Sequence, residues 1–252
     1  PPPAGAVAVG LAESVDEGLT TGEDDERRLG VPALGSVPLL SSVAPRRDRR
    51  LTPGDYLLAK PLSVFTESFR ALRTSLLYDR PAGHGHTIAV TSALPGEGKT
   101  TVSLCLARSA AQSGLSVVVV DCDVRRRSLN RSLNLTPQVA LVEALHGEVS
   151  LDEALIPDNG GAMVLPVAGE LTGEDLFTRP DLDRLLRTLS DRFDVVILDT
   201  PPVLALADTR ILTAKADSVL FITRWRKTSA KAAGPALGIL SQSGGEVEGV
   251  AL

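Results

Sequence analysis

The stretch Thr91-Ser-Ala-Leu-Pro-Gly-Glu-Gly-Lys-Thr-Thr101 constrains this chain more than any other. It sets two glycines, a proline and a lysine between an apolar β-like run at 87–92 and a helical apolar pattern from Thr100 to about Gln112. Residues 93–100 fit a P-loop, with Ala93 in place of the first glycine. The spacing has a chemical reason. Gly96 and Gly98 tolerate the dihedrals that turn successive backbone N–H groups inward onto phosphate oxygens. The helix that follows aims the positive end of its dipole at the same anion. Pro95, Gly96, Glu97, Gly98, Lys99, Thr100 and Thr101 are therefore the candidate nucleotide-binding residues. Lys99 is placed to reach the β- and γ-phosphates, and the Thr100 hydroxyl to ligate Mg²⁺.

Two further strand ends carry acids. The run 117–121, VVVVD, ends in Asp121, with Asp123 just beyond it. The run 194–199, DVVILD, ends in Asp199 after four apolar residues, a Walker B pattern. Apolar runs recur at 162–167, 218–223 and 247–252, with helical patterns between, such as 181–193. Fully apolar strands alternating with helices predict an α/β fold, a doubly wound and mostly parallel sheet of the P-loop class. Ligands collect outside the carboxyl ends of such strands, so Lys99, Asp121, Asp123 and Asp199 should converge. Thr100, Asp121 and Asp199 form the candidate metal set, and ATP with Mg²⁺ the expected cofactors.

Composition narrows the class. The 252 residues carry a net charge of −5, which argues against wholesale nucleic-acid binding. The two cysteines, Cys105 and Cys122, sit inside apolar runs and do not make a disulfide framework. No apolar stretch reaches the roughly 20 residues of a membrane helix. The small, apolar run 4–12, followed at once by acidic residues, reads either as a loose terminus or as the end of a membrane helix. A chain that begins with Pro1 reads as a fragment of a longer protein.

Residues 1–56 are expected to be a juxtamembrane segment and linker, with one short strand within 31–40 and a prolyl, basic stretch at 41–56. The cluster Arg46, Arg47, Arg49 and Arg50 reads as a solvated loop, or as a contact for anionic lipid headgroups. Residues 57–252 form the P-loop domain, opened by a helix within 61–78. There Leu62, Phe65, Phe69, Leu72 and Leu76 recur at steps of three and four, and Ser63 can cap the helix. At about 100° per residue Glu67 points away from that stripe, while Arg70 and Arg73 step toward its edge.

The ordered set of P-loop, VVVVDCDVR and VVILDTPP, followed by TPPVLALADTRIL, resembles the bacterial tyrosine kinases that regulate capsule and exopolysaccharide synthesis. ESFRALR matches their E-x-x-R-x-x-R helix, and residues 20–40 resemble the juxtamembrane segment of the fused polysaccharide co-polymerase members. The resemblance spans residues 18–252. It implies an ATP-dependent protein-tyrosine autokinase on the cytoplasmic face of the bacterial inner membrane, tethered through a preceding region and working with the polysaccharide polymerase and export machinery. It implies Asp121 as general base toward a tyrosine hydroxyl, Asp123 as its support, and Arg125 as a basic residue beside the site. It also implies a homo-oligomeric ring joined through Glu67, Arg70 and Arg73, and a tyrosine-rich tail as phosphoacceptor. The chain's own tyrosines are Tyr56 and Tyr78. The alternative is a nucleotide-binding co-polymerase module with weak ATPase and little kinase activity. A partitioning or septum-site ATPase would carry a lysine where Leu94 stands, and a dinucleotide oxidoreductase would carry G-x-G-x-x-G.

Overall fold

A computed structural model describes residues 18–78, 84–168, 176–178 and 180–252. The run at 4–12 lies outside the described residues.

The apolar runs become the strands of one sheet. In chain order they are β1 (Ala33–Gly35), β2 (His86–Ser92), β3 (Val117–Asp121), β4 (Ile156–Pro157), β5 (Met163–Leu165), β6 (Val195–Asp199), β7 (Ser218–Ile222) and β8 (Val247–Ala251). Their spatial order is β1-β8-β7-β2-β6-β3-β5-β4. Every pairing is parallel except β4 with β5. Every residue of β3, β6 and β7 is buried, because helices cover both faces. The side-chain period of two divides each run between two cores. Ile88, Val117, Val119, Val195, Ile197 and Leu220 pack beneath the helices Val64–Leu77 and Lys99–Ala111. Ala89, Val118, Val120, Val196, Leu198 and Phe221 face the helices Pro180–Arg192, Asp208–Ala214 and Ala230–Gln242. Each buried aliphatic of this size contributes about 1.5–3 kcal/mol relative to exposure, so a charge within a strand would be poorly tolerated.

The described residues before 57, from 18 onward, are woven into the same sheet. Leu19 is fully buried, and β1 extends the sheet beside β8. The prolyl stretch expected as linker contains the helix Pro53–Ala59, and the boundary expected at 56/57 falls inside it. Its start is locally encoded. Pro53 occupies the first turn, where no N–H is needed, and the Thr52 side chain accepts the Asp55 N–H at 3.1 Å. Tyr56 and Leu57 are buried, with the Tyr56 ring edge-on to Phe65. Arg46, Arg47, Arg49 and Arg50 are exposed around a short 3-10 turn, as the loop reading expected.

Ser63 caps Val64–Leu77 by accepting the Thr66 N–H at 3.1 Å. Phe65, Phe69, Leu72 and Leu76 form its buried face. Leu62 does not join them: it is 93% exposed, because it precedes the cap and the helical period does not yet apply. Among the described residues no helix is long and apolar enough to cross a membrane.

Candidate nucleotide site

The phosphate loop lies at the carboxyl end of β2, between β7 and β6. Gly96 and Gly98 have φ of 82° and 101°. Space would allow a Cβ at either position, so the requirement for glycine is conformational. Gly98 is the N-cap of Lys99–Ala111 and offers no side-chain cap, which leaves the first N–H groups of the helix for an anion.

Lys99 is 7% exposed, and its Nζ donates to Ser92 Oγ at 3.1 Å. Burial pushes its pKa down. The Asp199, Asp123 and Glu97 carboxylates oppose that shift, and the Arg126 guanidinium adds to it. The lysine thus sits among acids that keep it charged, one of them, Glu97, from the loop itself.

Glu97 does something other than contact phosphate. Its carboxylate accepts the Leu94 N–H at 2.7 Å and the Thr228 hydroxyl, closing the loop on itself and on the segment after β7. A carboxylate aimed at phosphate would repel it; aimed inward it sets the loop's curvature. Thr100 is half-buried in the first turn, while Pro95 and Thr101 are exposed.

The acids converge as expected. Asp121 and Asp199 are register partners at the ends of β3 and β6, both fully buried. Asp123, two residues further, is also buried. Asp199 accepts the Ser103 hydroxyl at 3.3 Å, and the Thr100 side chain is near enough to favour its charged form. Both oxygens of Asp121 and Oδ2 of Asp199 lack a hydrogen-bond partner of good geometry, although the Leu129 and Asp123 backbone N–H groups stand near enough to Asp121 to favour its charged form. Burial, with the Asp199 and Asp123 charges behind it, pushes the Asp121 carboxyl up to about 8. Burial likewise raises Asp199 to about 6, against the pull of Thr100 and Lys99.

Orphaned, buried, like-charged oxygens are costly unless a cation completes them. Thr100, Asp121 and Asp199 together suit Mg²⁺, which takes one or two carboxylates and leaves its other positions to water and phosphate. Among the described residues no cluster of three or more His, Cys, Asp or Glu is arranged as an all-protein metal cage, and Mg²⁺ beside a nucleotide does not need one.

Three residues at the site were not read from the sequence. Ser103 lies one helical turn after Thr100, and that i+3 spacing was the available signal. Arg224 donates from Nη1 to Gly96 O at 3.2 Å, and Thr228 bonds Glu97. Both arrive from 128 or more positions away, beyond any local pattern. Arg126, exposed like Arg125, is the arginine whose charge acts on Lys99.

The helix residues Glu67, Arg70 and Arg73 divide. Glu67 is exposed and pairs with Arg70 at 3.2 Å along the helix. Arg73 turns inward, and its Nη1 donates to Ser109 O at 2.6 Å.

A mostly parallel sheet with a phosphate loop and paired strand-end acids defines a P-loop nucleotide-binding protein. The chain belongs to the AAA domain family, whose match runs from residue 85 to 236. It is 31% identical over 253 residues to a putative tyrosine-protein kinase, EpsB, of Ralstonia nicotianae, covering 98% of this chain and 34% of that protein. The chimeric protein CapA2B2 superposes with a TM-score of 0.80 at 26% identity, covering 92% of this chain and 98% of that one. The kinase domain of the Escherichia coli tyrosine kinase ETK gives 0.79 at 28% identity, covering 89% and 92%. The resemblance to bacterial tyrosine kinases drawn from the motifs is thereby borne out. The chain spans about a third of the length of the curated relatives it first matches.

Proposed function

We propose that this chain is the catalytic part of an ATP-dependent protein-tyrosine autokinase that regulates capsular or exopolysaccharide polymerisation. The observation that carries the reading is the set of unpartnered buried carboxylate oxygens on Asp121 and Asp199 beside Lys99 and Thr100. A resting structural acid would be bonded or replaced; acids left bare at a phosphate loop are placed for a cation and a reacting group.

Lys99 and the N–H groups of the loop bind and orient the β- and γ-phosphates. Thr100 and Asp199, with Asp121 beside them, would hold Mg²⁺, which would neutralise charge on those phosphates and favour the ionised, proton-accepting form of Asp121. Asp121 takes the proton from the attacking tyrosine hydroxyl, whose ordinary pKa near 10 makes close placement essential. The phenolic oxygen forms the new P–O bond as the bond to the ADP oxygen breaks. Asp123 keeps the neighbouring field negative and helps hold Lys99 charged.

Assembly, location and partners belong to the same proposal. Glu67 and Arg70 on Val64–Leu77 form the exposed charged edge that docks onto the next subunit, and repetition closes a ring. Arg73 contributes from within, by fixing that helix to the end of the phosphate-loop helix. The ring works at the cytoplasmic face of the inner membrane, tethered through a preceding region, beside the polysaccharide polymerase and export machinery. Names such as that of EpsB, and the match to a kinase domain over nearly its whole length, support the catalytic part of this reading.

The test is phosphotransfer and binding together. Lys99→Met should abolish Mg·ATP binding by calorimetry without loss of fold. Asp121→Asn should lower phosphotyrosine formation by about 10²–10⁴-fold. Wild-type binding by the first variant, or wild-type turnover by the second, would sink the assignment.

A further inference from the structure

The loop after β7 reads Arg224-Trp-Arg-Lys-Thr228, and Trp225 is the only tryptophan in the chain. Trp225 is 55% exposed, and the Arg226 guanidinium lies over its ring, 4.8 Å from the centroid. Partial exposure alone is ordinary for tryptophan; its place beside the phosphate loop singles this one out.

The loop is held on two sides. Toward the phosphate loop, Arg224 reaches Gly96 O, and the Arg224 N–H donates to Thr228 Oγ1 at 2.7 Å, which in turn bonds Glu97. On the other side the N-terminal strap grips it. The Leu19 N–H donates to Thr228 O at 3.0 Å, and the Arg226 N–H to Leu19 O at 2.9 Å. Gly18 makes that approach possible, since a Cβ there would meet the Arg226 backbone at 2.7 Å. Arg226 itself takes a left-handed φ of 52°.

The sheet order says which end of a nucleotide faces this loop. Asp199 and Asp121 stand on β6 and β3, to one side of β2; β7 stands on the other. The terminal phosphate belongs with the acids and Lys99. The nucleoside end then points toward β7 and its loop.

We propose that Arg224–Thr228 is the nucleobase platform of this site. Trp225, backed on one face by Arg226, stacks on the base of the nucleotide whose phosphates occupy the loop. This rests on the nucleotide-binding reading above. Stacking accepts any base, because every base has a π face. The platform therefore raises affinity for nucleotides over inorganic polyphosphate and does not by itself select adenine. Because both flanks are already bonded, the ring is ordered before ligand arrives, and less freedom is lost on binding.

The single tryptophan is its own reporter. The 252-residue chain is titrated with Mg·ATP and with Mg·tripolyphosphate, by calorimetry and by tryptophan fluorescence. ATP should change the Trp225 emission, and tripolyphosphate should bind and leave it largely unchanged. Trp225→Ala should weaken Mg·ATP binding by about 5- to 150-fold, the range for loss of one base–aromatic stack, while leaving tripolyphosphate affinity within twofold. Trp225→Phe should recover most of the loss. If ATP binds with silent fluorescence and Trp225→Ala binds as wild type, the platform is wrong and the phosphate site stands. If neither ligand binds, the nucleotide reading fails and takes the platform with it. If emission shifts on phosphatidylglycerol vesicles and not with ATP, the loop is a lipid contact and the platform is overturned.

Discussion

Removing the Arg108 guanidinium tests how the phosphate-loop helix is anchored. Arg108 lies in the last turn of Lys99–Ala111 and is 2% exposed. Its Nε and Nη2 grip the two oxygens of Asp158 at 2.8 and 2.7 Å, Nη2 also reaches Asn159 at 2.6 Å, and Nη1 reaches Asp55 at 3.1 Å. The Asp158 side chain is as buried as the arginine, whereas that of Asp55 is 41% exposed. The cost of losing the arginine is therefore mostly that of stranding Asp158. Breaking one side of a buried pair costs about 3–5 kcal/mol, and the exposed Asp55 arm adds at most about 1 kcal/mol. Arg108→Met keeps most of the volume between Gly54 and Gly160, so the charge is removed with a minimal cavity. In a domain of this size about 1 kcal/mol moves Tm by roughly 2–4 °C, so a fall of about 6–24 °C is expected. Urea unfolding followed by circular dichroism gives the free energy directly. Arg108→Met with Asp158→Asn should recover more than half the loss, because no buried charge is then left unpaired. A single variant within about 1 kcal/mol of wild type, or a double variant no better than the single, would refute the reasoning.

Asp121→Asn makes a second test, in metal-free protein. A carboxyl raised from 3.8 to about 8 keeps its proton in the folded chain where the unfolded chain has lost it. Stability must therefore fall as pH rises through that window, at up to about 1.4 kcal/mol per pH unit. Urea unfolding in EDTA at pH 5 and pH 8 should show this fall in wild type and most of it removed in the Asn variant; an unchanged slope would exclude it. Arg73→Ala should cost stability, about 1.5–3 kcal/mol for a bond from a charged donor to Ser109 O, measured by thermal melting. Glu67→Ala with Arg70→Ala should instead leave Tm nearly unchanged and abolish the oligomer of concentrated or membrane-anchored protein. The same light-scattering mass in variant and wild type would exclude that edge as the contact.

What the sequence by itself determined is local in origin. The runs 117–121, 194–199 and 218–223 are apolar throughout, and only a strand covered on both faces accommodates them. Gly96, Gly98 and Lys99 announce a phosphate loop because the dihedrals and the charge are needed within a few residues of one another. Parallel strands then bring Asp121 beside Asp199 as a consequence of topology, so convergence of the acids was legible before any coordinate. Ser63 and its helix were equally plain, since a cap and a stripe are short-range features.

Tertiary structure decided what depends on distant partners. Arg108 reads as an ordinary polar residue near the end of a helix; its partners stand 50 to 53 positions away. Arg73 lies three residues from Arg70, yet only the packing of two helices turns one inward and leaves the other at the edge. Glu97 sits inside the phosphate motif, and its closure onto Thr228 needed the strand order that sets β7 beside β2. The two residues of β4 are too few to carry a period. Residues 18–56 look like linker because prolines and charges dominate their composition, while Leu19 is buried and held by the loop at 224–228, far along the chain. Side-chain burial and long-range hydrogen bonds are properties of the assembled sheet, and no window of neighbouring residues contains them.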